Sequence, residues 1–312
     1  MPVTHGVASS SLVQTAKRVD ELISSALFCY LEYLDSLDRI NSRRQYKYLL
    51  NRFIPLLPID STWYSLSYTD LERAVYKLRL EGVKDSSISV MIRALKSLWN
   101  RQYKKGLAPC PPRFDFKLKT GAIPEYLSRK DLKKLLEIKG KYESVDVWLL
   151  LYFFRGMNFK DLALLKAHQI VEGRVYYYRS KTGKEVPNFK VHEVAQDIID
   201  RYNCKETCYI MPYVNDSIHK SIRSKDYRVR KVRKKLIYEL RQVFKSLNIK
   251  DPFRPFYSAR YTFALHLSEH PKQDLFQIKR ALGHQSIVTT EKYIRRLNLN
   301  DLDRYIEESM PF

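Results

Sequence analysis

The chain has 312 residues, of which 45% are hydrophobic and 13% aromatic, with only 9 glycines; this excludes a disordered basic tail and exceeds the usual single core, so two domains are expected. Lys and Arg number 56 against 34 Asp and Glu, a formal charge of +22 spread along the chain, for which polyphosphate is the natural counterpart. Cys29, Cys110, Cys204 and Cys208 form no CxxC pair and no zinc-finger spacing, and no apolar run reaches membrane-crossing length, so a reduced, cytoplasmic chain without metal, cofactor or membrane partner is expected.

Residues 1–18 read as a tail, and helical periodicity occupies 19–106. Val19, Leu22, Ile23, Ala26, Leu27, Tyr30, Leu31 and Leu34 recur at i, i+3, i+4 and i+7. A second helix opens near Asn41 or Ser42, carries Tyr46, Leu49, Leu50 and Phe53 on one face, and closes at Pro55 and Pro58. Thr69 and Glu72 have capping-box spacing for a third, with Leu71, Ala74, Val75 and Leu78 as its buried stripe. The fourth turns Ile88, Met91, Ile92, Leu95 and Trp99 inward, carries Arg93, Lys96, Arg101, Lys104 and Lys105 elsewhere, and stops at Gly106. Four helices with one basic edge would make a bundle able to grip a duplex. Residues 107–124, with four prolines, a glycine and no period, read as a linker.

The remaining 125–312 read as a second, larger domain. Ser128 and Asp131 cap its first helix, and "VDVWLLLYFFRG" is apolar nearly all round, hence central. "RVYYYRSKTGKEVPNFKV" switches to β-prone runs flanking a tip of Lys181, Thr182, Gly183 and Lys184. Between Lys220 and Arg241 ten basic residues crowd a helix whose core stripe is Val229, Val232, Leu236, Leu240, Val243 and Leu247, a density that suits a DNA-facing helix. Last come "PFYSARYTFALHL" and "RALGHQSIVTTEKYI", with Arg260 24 residues before His284 and Tyr293 nine after it. His266, inside the apolar run, reads as structural.

These residue types suit a reaction that breaks a DNA strand while conserving its bond energy. A tyrosine can take the phosphoryl group and later be displaced by a 5′ hydroxyl, because a phenol of pKa about 10 leaves more readily than an alkyl alcohol. Charge developing on the phosphorus oxygens then needs a counterpart, and guanidinium forks supply it.

The combination of "ARYTFA", "LGHQSIVTTEKY" and the hairpin "RSKTGKEV" resembles the tyrosine recombinase family, the lambda-integrase type of site-specific DNA recombinases, in a branch similar to integrases and invertases on mobile elements and invertible promoters of gut bacteria. The resemblance spans about residues 20–312. It implies a mainly α fold with a small β-hairpin or sheet: a four-helix SAM-like DNA-binding bundle over 19–106 and an α+β catalytic domain over 125–312 ending in a C-terminal helix. The two would close as a C-shaped clamp on the duplex. By the same resemblance Tyr293 is the nucleophile that leaves a 3′-phosphotyrosine, Arg260 holds the scissile phosphate, His284 donates a hydrogen bond to it, and Lys181, with Lys184 as competitor, is the general acid to the departing 5′ oxygen. Tyr257 stands where most members have histidine or lysine and is expected to assist.

The family's first arginine has no exact counterpart. "GMNFKDLALL" fits the family's register but sets Asn158 in the arginine's slot. Arg155, three residues or about one helical turn earlier, is expected to reach the same phosphate; Asn158 itself, or a cation from elsewhere such as Arg179, remains the alternative. Asp161 either buttresses the arginines or caps its helix. After the tyrosine, Leu299, Leu302, Tyr305, Ile306 and Met310 form an apolar stripe that packs within the chain or docks on a neighbouring protomer. Implied partners are double-stranded DNA with inverted-repeat core sites, a homo-tetramer in the synaptic complex, and host or element-encoded DNA-bending factors. A type IB topoisomerase-like enzyme and a DNA-binding regulator with a decayed site are the competing functions.

Overall fold

The structure is a computed structural model describing residues 22–118, 125–202, 207–269, 274–284, 286–288, 290, 291 and 294. The expected tail with Val19, linker residues 119–124, Cys204, Tyr293 and the stripe from Leu299 to Met310 lie outside the described residues. The chain forms two compact units, residues 1–122 and 123–312.

In the first unit four helices follow one another: α1 (Ile23–Ser36), α2 (Ile40–Phe53), α3 (Tyr68–Leu80) and α4 (Asp85–Lys104). Each turns its periodic apolar residues into one core, in which the Trp63 and Trp99 rings lie 5.2 Å apart. Trp99 Nε1 finds its acceptor in Pro109 O at 2.9 Å, so the start of the proline-rich stretch is fastened to the bundle. The cap of α3 differs from the expected Thr69 and Glu72. Ser67 accepts from the backbone N–H of Asp70, whose carboxylate accepts from Ser67 N in return; the helix starts two residues earlier because this pair satisfies two orphan N–H donors.

In the second unit α5 (Arg129–Glu137) is capped by Ser128 as the spacing predicts, and α6 (Glu143–Phe153) is buried on every side from Ser144 to Leu151. The chain then leaves the helix through two successive left-handed residues, Arg155 (φ 55°) and Gly156 (φ 71°), before the short α7 (Phe159–Ala163). Strands β1 (Ile170–Val171), β2 (Arg174–Arg179) and β3 (Lys184–Lys190) form an antiparallel sheet in the order β1-β2-β3, with Arg179 opposite Lys184 at the hairpin end. Then follow α8 (Glu193–Tyr202), the 25-residue α9 (Ile222–Ser246), α10 (Pro255–Ser268) and α11 (Leu275–Leu282). Helix α9 buries Val229, Val232, Leu236, Leu240 and Val243 against the core formed around α6. The fold is mainly helical with one small sheet.

Candidate active site

Arg260 lies in the second turn of α10, a helix fixed from below. Trp148 Nε1 on α6 donates to Pro255 O and Ser258 Oγ, each at 3.1 Å, and Thr262 Oγ1 accepts from the backbone N–H of Leu127 at 2.9 Å. Arg260 is only 7% exposed, and a buried guanidinium must have its donors matched. Its Nη1 donates to Gly156 O at 3.0 Å and its Nη2 to Leu282 O at 2.7 Å. Glycine is required at 156: a Cβ there would stand 2.5 Å from Cγ and 2.7 Å from Cα of Arg260.

Arg179, half-buried at the end of β2, donates from Nη2 to the same Leu282 carbonyl at 3.0 Å. Two guanidinium groups therefore converge on one main-chain oxygen at the end of α11. Gly283 (φ 62°) turns the chain there in the left-handed conformation, and His284 follows with its N–H bonded to Lys279 O at 3.0 Å. The His284 Nδ1 lies 3.0 Å from Oγ1 of the fully buried Thr290. Burial, then the charges of Arg260 and Arg179, push the imidazole down to about 4, so the ring is neutral at pH 7 and feels both arginines.

Lys181 is exposed at the hairpin tip, and Lys184 is exposed on the first position of β3. The tip is tied down beside them, since the buried Asp161 carboxylate on α7 accepts from the backbone N–H of Ser180 at 3.1 Å. Burial and then the same carboxylate raise the Tyr177 phenol, which sets Asp161 against the strand that delivers Arg179. Tyr257, half-buried one helical turn before Arg260, has its ring edge-on to Tyr261.

The contacts of Arg155 lie elsewhere. Its guanidinium sits over the Phe189 ring, 4.9 Å from the centroid, and burial followed by Arg174 lowers its pKa. The one-turn argument for Arg155 fails on the chain path, because residues 154–158 separate two helices and are not helical themselves. Asn158 is occupied as the cap of α7, its Oδ1 accepting from Lys160 N at 3.0 Å. Sequence reasoning passed over Gly156 and Thr290. Gly156, just past an apolar helix, carried the signal of a left-handed C-terminal residue; nothing in a Thr-Thr pair announces that its second member is buried against a histidine.

Two guanidinium groups thus donate to one main-chain oxygen, with a neutral imidazole two residues further along the chain that feels both charges. Among the described residues no cluster of three or more His, Cys, Asp or Glu is arranged to hold a metal ion.

The chain is similar to several known proteins. The family model described as phage integrase, N-terminal SAM-like domain, matches residues 29–106. Tyrosine recombinase XerA of Pyrococcus furiosus is 26% identical over 264 residues, covering 82% of this chain and 83% of that protein. Among solved structures, a lambda integrase dimer bound to a COC′ core site superposes with a TM-score of 0.60 at 16% identity, over 93% of this chain and 81% of that one. The same integrase as a tetramer bound to a Holliday junction gives 0.59 at 15%, over 89% and 80%. The Tn1549 transposon integrase in complex with transposon right end DNA gives 0.57 at 13%, over 91% and 99%. Family model, sequence relative and fold together support a tyrosine recombinase, with a SAM-like N-terminal domain over residues 29–106 and a lambda-integrase-like fold.

Proposed function

We propose that Tyr293 is the nucleophile of this recombinase and that Arg260 and His284 hold the phosphate it attacks. The phenolic oxygen bonds to phosphorus as the bond from phosphorus to the 5′ oxygen breaks; the phenolic proton passes to water, and Lys181 gives a proton to the departing 5′ oxygen. The product is a 3′-phosphotyrosine and a 5′ hydroxyl. Attack by the 5′ hydroxyl of a partner strand reverses the step and frees the tyrosine, so the exchange needs no external energy source. The observation that carries this reading is the meeting of Arg260 and the neutral His284 beside the Leu282 carbonyl, where both can donate to a phosphate oxygen. Tyr257, one turn from Arg260, assists from the rim.

The substrate is duplex DNA with inverted-repeat core sites, and a homo-tetramer carries out the exchange. Lambda integrase, bound to a core site as a dimer and to a Holliday junction as a tetramer, supports this assembly. Element-encoded or host DNA-bending factors assist it, and the outcome is integration, excision or inversion of a mobile segment. No helix among the described residues is long and apolar enough to cross a membrane. Nicked suicide DNA carrying the repeats that flank the protein's own coding sequence tests the reading. Wild type is expected to give a protein–DNA adduct that survives SDS, and Tyr293→Phe none; no adduct with wild type sinks the assignment.

A further inference from the structure

The geometry points to Arg179 as a catalytic residue: we propose that its guanidinium, delivered by the last residue of β2, takes the scissile phosphate together with Arg260 and so supplies the second cation that the chain lacks at position 158. The inference rests on the recombinase reading above.

Three observations carry it. Arg179 Nη2 and Arg260 Nη2 donate to one and the same oxygen, that of Leu282, at 3.0 and 2.7 Å, so the two forks already face a common point. Five N–H donors per guanidinium, against two carbonyl bonds for Arg260 and one carbonyl bond plus a bond to the Tyr177 phenol for Arg179 among the described residues, leave each fork with N–H groups to donate to a phosphate oxygen. Finally, the position is built. The Ser180 N–H held by buried Asp161, and the turn bonds from Thr182 N and Gly183 N to Arg179 O at 3.1 and 2.8 Å, fix the strand end that aims the side chain. Lys181 lies two residues further on the same hairpin, so one element would bring both the phosphate-holding cation and the proton donor. Arg155, the obvious rival from the sequence, is turned onto Phe189.

A phosphate-binding role predicts a signature that a structural role does not. If Arg179 neutralises a non-bridging oxygen, replacing that charged oxygen by a methyl group removes the need for it. The full chain is offered the nicked duplex on which wild type forms its adduct, with the scissile phosphate either natural or a methylphosphonate. On natural DNA, Arg179→Ala is expected to form adduct about a hundredfold more slowly, the usual cost of one transition-state donor, with Arg179→Lys intermediate because it keeps charge without the fork. On the methylphosphonate, Arg179→Ala is expected to approach the wild-type rate, while Tyr293→Phe stays inactive and Arg155→Ala matches wild type on both. Mobility shift on the same duplex verifies that each variant is folded and bound. Undiminished cleavage by Arg179→Ala, a loss in a DNA-binding variant that the methylphosphonate leaves unrelieved, or rescue of Arg155→Ala instead each overturns the proposal. Absence of the wild-type adduct removes the underlying recombinase reading, and the proposal with it, whereas failure in the Arg179 arm alone leaves that reading intact.

Discussion

His284 meets two guanidinium groups before any DNA arrives, and burial first, then Arg260 and Arg179, holds its imidazole at about 4. The unfolded chain, whose histidine titrates near 6.5, binds that proton more readily, so between those values folding stability rises with pH. The contribution is complete above about pH 6.5 and is lost as pH falls toward 4. The urea midpoint of wild type is therefore expected to drop over that window by more than the midpoint of His284→Gln, and parallel curves would contradict the burial of this ring between cations. A neutral imidazole has one N–H, and Thr290 Oγ1 lies 3.0 Å from Nδ1. For the ring to donate to phosphate from Nε2, Thr290 must donate to Nδ1 and so select the tautomer. Thr290→Val keeps the shape and removes that hydroxyl. It is expected to slow adduct formation about fivefold to tenfold, as the loss of about 1 kcal/mol would, with Thr290→Ser near wild type. Nitrogen-15 spectra of the histidine rings read the tautomer directly.

At the level of elements, the passage from α6 to α7 decides the site. Gly156 gives Arg260 both its acceptor and the space to reach it. Gly156→Ala puts a Cβ 2.7 Å from the Arg260 Cα, a backbone atom that cannot swing aside, and does so at a left-handed residue. A loss of about 2 kcal/mol or more in unfolding free energy, together with loss of cleavage, is expected. Gly283→Ala, with 3.3 Å to the movable Arg179 Nη2, is expected to cost about half as much. The elements themselves were legible wherever one periodicity ran unbroken: the stripes of α1 to α4, the all-round apolar α6, and the hairpin with Lys181 at its tip. The cap of α3 was misread because Ser67 with Asp70 and Thr69 with Glu72 have the same spacing, and only the chain path separates them. The reading of Arg155 rested on a related assumption. Its helical distance from Asn158 assumes a helix that two left-handed residues interrupt, and left-handed backbone at a non-glycine residue leaves little trace in a sequence. The convergence of Arg179 with Arg260 is a tertiary fact that no spacing encodes.

At the scale of the whole molecule the surplus of +22 is spread along the chain, and part of it lines one concavity of the first unit. On α4 and at its C-terminal cap, Arg93, Lys96, Arg101, Lys104 and Lys105 line a concavity of about 670 Å³, with the Arg101 guanidinium 4.0 Å from the Tyr33 ring centroid. Each phosphate neutralised there contributes about 0.9 to the slope of log affinity against log salt. Replacing Lys96 and Lys104 together by alanine is expected to reduce that slope by about 1.8 on a duplex of arbitrary sequence, as measured by anisotropy titrations at several salt concentrations; an unchanged slope would remove this face from the DNA contact. The cluster around Arg260 is distributed differently. Arg260 reaches Gly156 across 104 residues, and Arg179 reaches Leu282 across 103. Such contacts close late, because the chain entropy of large loops is lost before they form. A ribosome-bound chain that has not yet reached Leu282 can thus fold its bundle and its hairpin without an assembled phosphate site. Refolding should likewise regain helix and DNA affinity before it regains cleavage, so a half-folded copy could hold DNA but would lack the means to cut it.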